Sequence, residues 1–170
     1  MRRSMDAKTR SLVMSAVFAA LICASTFIIR IPSPIQGYIN LGDCFVLLAA
    51  WTLTRKLGAL SAAVGSALAD LLAGYAIFAP ATFVIKGLVA LTAYHCFKAV
   101  KKKNKINAAA ITSAIAAECV MILGYFIYES FLYGIKAASV GIPFNVIQGA
   151  VCILPACILY ELIGSKIGSK

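Results

Sequence analysis

Charge is what this sequence has least of. Charged residues fill 13% of its 170 positions, against about a quarter in a soluble domain. There are six acidic residues, one histidine and one tryptophan. A lone His95 without clustered acids makes no metal site. No G-x-x-x-x-G-K-[ST] loop exists, so the chain is not expected to hydrolyse ATP itself. H-E-x-x-H and G-x-S-x-G are also missing, and no acid/base pair stands out. Catalysis is therefore disfavoured, and no cofactor is expected. None of the six cysteines forms a C-x-x-C pair. All lie in or at the ends of apolar runs, where they read as small buried hydrophobes.

What is present is apolar. Hydrophobic residues make up 62% of the chain and mean hydropathy is +0.92, far from the soluble norm of about 45–50%. Apolar runs fall at 11–29, 41–54, 57–74, 80–98, 107–129 and 143–164. A helix needs about 20 residues to cross a bilayer. The second run is short and spans incompletely or borrows from the loop before it. The first follows Arg2, Arg3 and Arg10, as a signal peptide does, but it is bilayer-length and reads as a retained helix. No strand-like alternation appears, and lipid admits only helices or closed barrels. The expectation is one all-α polytopic membrane domain, residues 1–170, with six transmembrane helices.

Its orientation follows from lysine and arginine. With the N-terminus inside, thirteen of the sixteen cations fall on the cytoplasmic side. Arg30 and Lys136 lie outside, and Lys86 is left within a span. This positive-inside bias puts both termini in the cytoplasm. It also accounts for the net charge of +10 without a nucleic-acid partner. The "KKKNK" run then faces anionic headgroups.

Lys86 stands in "FVIKGLVAL". A lysine at mid-span costs about 2.5–3.5 kcal/mol on insertion scales, so it calls for a reason. By helix direction, Lys86 sits about 9 Å below the outer surface. Asp43, Asp70, Glu129, Asn145 and Gln148 also fall in the outer half, with Glu118 near mid-depth. Glu118, Tyr125 and Glu129 share one helix stripe, Asn145 and Gln148 share another, and Thr82 lies one turn from Lys86. Lys86, Glu118, Tyr125, Glu129, Asn145 and Gln148 together suit a polar cavity opening outward, with aromatic walls. Structural readings stand beside this one. Lys86 snorkels outward or pairs with Glu118 or Asp70. Asp43 and Asn145 cap helices. Glu129 is an interfacial charge, and Tyr125 and Tyr128 belong to an aromatic belt.

Ala16, Ala20 and Ala24 repeat every four residues on the first helix, and Ala59, Ala63 and Ala67 do so on the third. Such stripes permit close helix approach, either within the chain or to another membrane protein.

The stretches "GYINLGDCFVLLAAW", "LGALSAAVGSALADLLAGYAIFAPATFVIKGL" and "PFNVIQG" resemble the S components of energy-coupling factor transporters, in the riboflavin-type branch. The nearest comparison is with those for pyridoxine or hydroxymethylpyrimidine. The resemblance covers essentially the whole chain. It implies a high-affinity binder of a vitamin or precursor at the outer face of a bacterial plasma membrane, energised by a transmembrane coupling protein and two cytoplasmic ATPases. It implies that residues 31–40 form a lid, with Gln36, Tyr38 and Asn40 at the ligand. Helices four to six would add Lys86, Glu118, Tyr125, Asn145 and Gln148. The coupling protein would dock on Ala16, Ala20 and Ala24. The alternative is an autonomous secondary transporter or channel using Glu118 and Lys86 as ion or proton sites.

Overall fold

The computed structural model of the protein describes residues 2–33, 37–101 and 106–164. Six α-helices account for most of them: α1 (Arg2–Ile28), α2 (Gly42–Thr52), α3 (Arg55–Leu72), α4 (Ala79–Lys101), α5 (Ile106–Tyr133) and α6 (Ile135–Leu159). A π-helical turn, Tyr160–Gly164, follows α6. The all-helical expectation needs one amendment. Two short strands, β1 (Arg30–Ser33) and β2 (Gly37–Asn40), pair antiparallel between α1 and α2, with Arg30 opposite Asn40 and Pro32 opposite Tyr38. Strands of four residues, one carrying a proline, are too short for alternation to register.

The short second run becomes the centre of the molecule. Ten of the eleven residues of α2 are buried, and the helix packs against α1, α3, α4 and α6. A helix apolar all round needs such enclosure. Small residues on α3 let its neighbours approach. A Cβ on Gly65 would lie 2.5 Å from the Ala19 carbonyl oxygen of α1. Beside it the Ser15 and Ser61 hydroxyls lie 2.8 Å apart. At one end of the bundle, Trp51 stacks near Phe97 and Tyr160, and its indole N–H donates to Ser113 at 3.0 Å.

The outer faces are apolar. Leu12, Ile28, Leu72, Val84, Phe131 and Leu154 are all exposed. Among the described residues, four stretches are long and apolar enough to cross a membrane: Ala7–Ile28, Ala79–Lys101, Asn107–Tyr133 and Ile135–Ile163. This is the surface of a multi-pass membrane protein, in which exposed leucine and isoleucine meet lipid.

The last helix differs from expectation. The sequence suggests a loop over 134–143, but α6 starts at Ile135 and carries Pro143 and Pro155 inside it. The break from α5 is Gly134 alone, at φ 84°, a conformation that a side chain resists. Proline is tolerated within helices of membrane proteins because neighbouring groups satisfy the carbonyls it leaves free. Here α6 is braced along α5 and α2. Asn145 therefore lies well inside a helix rather than at its cap.

Candidate functional site

The start of α2 sets the site. Leu41, just before it, offers no side-chain cap. The Gly42 amide instead donates to the Asn40 side-chain oxygen at 2.9 Å. Asp43 is thereby released from capping and turns inward, fully buried. Its Oδ1 accepts from Lys86 Nζ at 2.5 Å, and its Oδ2 accepts from Gln148 Nε2 at 2.6 Å. Gln148 Oε1 in turn accepts from the Asn40 amide at 3.0 Å and from its side-chain nitrogen at 3.2 Å. The Met121 sulfur lies 3.3 Å from both Lys86 Nζ and Gln148 Nε2. One network thus ties α4, α2, α6, α5 and β2 together.

Above this network lies a narrow cavity of about 50 Å³, room for a few waters rather than a ring system. The hairpin roofs it with Tyr38, Ile39 and Asn40. Asp70, Tyr75, Phe78 and Thr82 line it from α3, α4 and the turn between them. Tyr125 and Glu129 come from α5, and Phe144, Asn145 and Gln148 from α6. Glu129 reaches in because α6 has no side chain at Gly141, where a Cβ would lie 2.6 Å from Glu129 Oε2.

Polar contacts fasten the roof. The Tyr38 hydroxyl donates to Asp70 Oδ1 at 2.5 Å, and the Tyr38 ring packs on Tyr75 with centroids 5.1 Å apart. Burial and the neighbouring Asp70 carboxyl push the Tyr38 phenol well above its ordinary pKa, so it stays a donor. Thr82 and Tyr125 hydroxyls pair at 3.1 Å. Four buried oxygens have no hydrogen-bond partner among the described residues: Asp70 Oδ2, Glu129 Oε2 and both of Glu118.

Of the residues singled out from sequence, Tyr38, Asn40, Thr82, Tyr125, Glu129, Asn145 and Gln148 line this cavity. Lys86 and Glu118 do not. Lys86 is part of the network beneath it, and Glu118 packs against Gly149 of α6, where a Cβ would lie 3.0 Å from its Oε2. Gln36 lies outside the described residues. Ala16, Ala20 and Ala24 are exposed on α1, away from the cavity. Ala59, Ala63 and Ala67 are buried or half-buried instead.

The partner of Lys86 is neither Glu118 nor Asp70 but Asp43. Counting turns from the outer surface misses this pairing, because α2 begins below the hairpin, level with the second turn of α4. Asp70, Tyr75 and Phe78 were also not assigned to the cavity. The "ADLLAGYAIF" turn that brings them there carries the only sequence signal, a glycine followed by clustered aromatics.

Residues 6–165 match the family model described as "ECF-type riboflavin transporter, S component". The chain is 31% identical over 148 residues to an "Uncharacterized protein in gap 3'region" of Pyrococcus woesei, an alignment spanning 86% of this chain and 97% of that one. It also superposes on the solved structure described as "Structure and mechanism of the S component of a bacterial ECF transporter", with TM-score 0.72 and 24% identity over 95% of this chain and 99% of that one. At that identity the likeness speaks for the fold.

Proposed function

The chain belongs to the ECF-type riboflavin transporter S component family, and we propose that it captures a vitamin or vitamin precursor at the outer face of a bacterial plasma membrane for ATP-driven import. Proteins of this family are substrate-binding membrane subunits and not enzymes. The observation that carries the reading is the hollow beneath the hairpin, walled by aromatic rings and edged by hydrogen-bonding groups. Small-molecule sites combine these features. A heteroaromatic ring such as riboflavin, pyridoxine or hydroxymethylpyrimidine suits the walls. The hollow is too small for any of them as it stands, so the hairpin lifts to admit the ligand.

In this reading all six helices lie in the bilayer, with α2 enclosed by the others. Both termini are cytoplasmic, as the positive-inside bias supports. The unpartnered face of α1 carries Ala16, Ala20 and Ala24, which are exposed while Phe18 and Ile22 point inward. A coupling protein docks there, and two cytoplasmic ATPases supply the energy for which this sequence has no phosphate loop.

The test is titration calorimetry of the purified chain with riboflavin, pyridoxine and hydroxymethylpyrimidine. One is expected to bind with Kd below about 1 μM, or about −8 kcal/mol. One observation favours the second reading, an autonomous transporter: the two unpartnered oxygens of Glu118. Against it, Lys86 is locked to Asp43 and not free to load an ion. Proton-coupled flux in vesicles holding only this chain decides for the second reading.

A further inference from the structure

Among the described residues, two acids and no basic side chain line the cavity. Asp70 and Glu129 both line it and are 6% and 7% exposed. Each has one carboxyl oxygen without a partner, Asp70 Oδ2 and Glu129 Oε2, among the described residues. Tyr38 satisfies only the other Asp70 oxygen. None of the described residues lining the cavity is lysine or arginine. Lys86, the nearby buried cation, is already matched by Asp43.

Buried carboxylates without a counter-charge are expensive, and a bound group that restores both the charge and the hydrogen bond removes that penalty. A neutral hydroxyl or amide supplies the hydrogen bond alone. The walls add a second preference. Tyr75, Phe78, Tyr125 and Phe144 present rings to the hollow, and ring faces attract cations, more strongly away from water. Gly141, which also lines the cavity, leaves the room that the Glu129 carboxyl occupies.

We propose that the solute held here is a nitrogenous organic cation, its positive centre seated between Asp70 and Glu129. This rests on the solute-binding reading above and narrows its substrate class. Specificity follows from the charge count. A ring system bearing an ammonium or protonated ring nitrogen is preferred to its uncharged analogue, and anions are excluded.

The experiment uses the full chain in lipid nanodiscs and two matched probe pairs. Pyridoxamine is compared with pyridoxine, and 5-aminomethyl-4-amino-2-methylpyrimidine with its 5-hydroxymethyl analogue. Within each pair an ammonium replaces a hydroxyl on one ring. The ammonium member is expected to bind at least about tenfold more tightly in a pair that binds, the scale of a desolvated charge contact. Asp70→Asn and Glu129→Gln should each shrink that ratio about fivefold or more. Native mass spectrometry of the purified chain reads any solute already retained, and a retained cation lost from both variants supports the proposal. Riboflavin or a hydroxyl member binding as tightly as the ammonium members overturns the inference while leaving a solute-binding protein. So does a ratio that survives both substitutions, or a retained solute that is neutral or anionic. No binding by any probe and no retained solute defeats the solute-binding reading, and the inference with it.

Discussion

At the scale of single residues, the question is why a membrane chain keeps Lys86. The answer is Asp43, 2.5 Å away and fully buried. Removing one partner of such a pair leaves a bare buried charge, a loss of about 3–5 kcal/mol. Lys86→Ala should therefore lower the unfolding temperature in detergent markedly and reduce ligand affinity about tenfold, because Gln148, a cavity residue, is held by the same aspartate. The double change Asp43→Asn with Lys86→Met removes both charges yet keeps an acceptor for Gln148, so it should recover most of the melting temperature. A double variant no more stable than Lys86→Ala argues against the ion pair as the reason for the lysine. The need for a partner was readable from sequence, since an intramembrane lysine demands one. Which acid serves was not, because Asp43, Asp70 and Glu118 sit on three different helices whose relative depths only packing sets.

At the scale of elements, the proposed function makes the hairpin the movable part. It has four-residue strands, and its grip on the bundle includes Tyr38 to Asp70 and Asn40 to Gln148. One buried hydrogen bond to a charged acceptor is worth about 1.5–3 kcal/mol. Tyr38→Phe should thus loosen the roof, raising ligand release about tenfold or more in stopped-flow measurements with the fold's melting point nearly unchanged. An unaltered release rate means the roof is fastened elsewhere. The family resemblance implies a lid over 31–40, and the pairing of Arg30–Ser33 with Gly37–Asn40 was not legible, since pairing depends on register rather than composition. The α3 small-residue stripe teaches the same point. On sequence it matches the α1 stripe, yet Ala59 and Ala63 lie against Gly87 of α4, while Gly65 beside them lies against α1. Only the alanines of α1 stay exposed.

At the scale of the whole molecule, the exposed α1 face predicts assembly. Ala20→Trp should abolish co-purification with a coupling protein while leaving ligand affinity within about twofold, because bulk prevents close helix approach and the cavity lies elsewhere. Loss of ligand binding together with assembly points to a misfolded chain rather than a blocked face. Topology is tested by fusions at the C-terminus. Green fluorescent protein should fluoresce there and alkaline phosphatase should be inactive, as the inside excess of lysine and arginine requires. An active phosphatase reverses the orientation and moves the hollow to the cytoplasmic side.

Composition and patterning alone established a helical membrane protein, because hydropathy and chain length answer to the bilayer and not to neighbouring helices. The same patterning marked most of the polar residues that meet in the cavity, since each is conspicuous in apolar surroundings. Tertiary structure alone decided who pairs with whom: Lys86 with Asp43, Gln148 with Asn40, and Glu129 admitted at Gly141. Those pairings depend on how deep a short helix begins and how near two backbones come, quantities set by packing between segments distant in sequence.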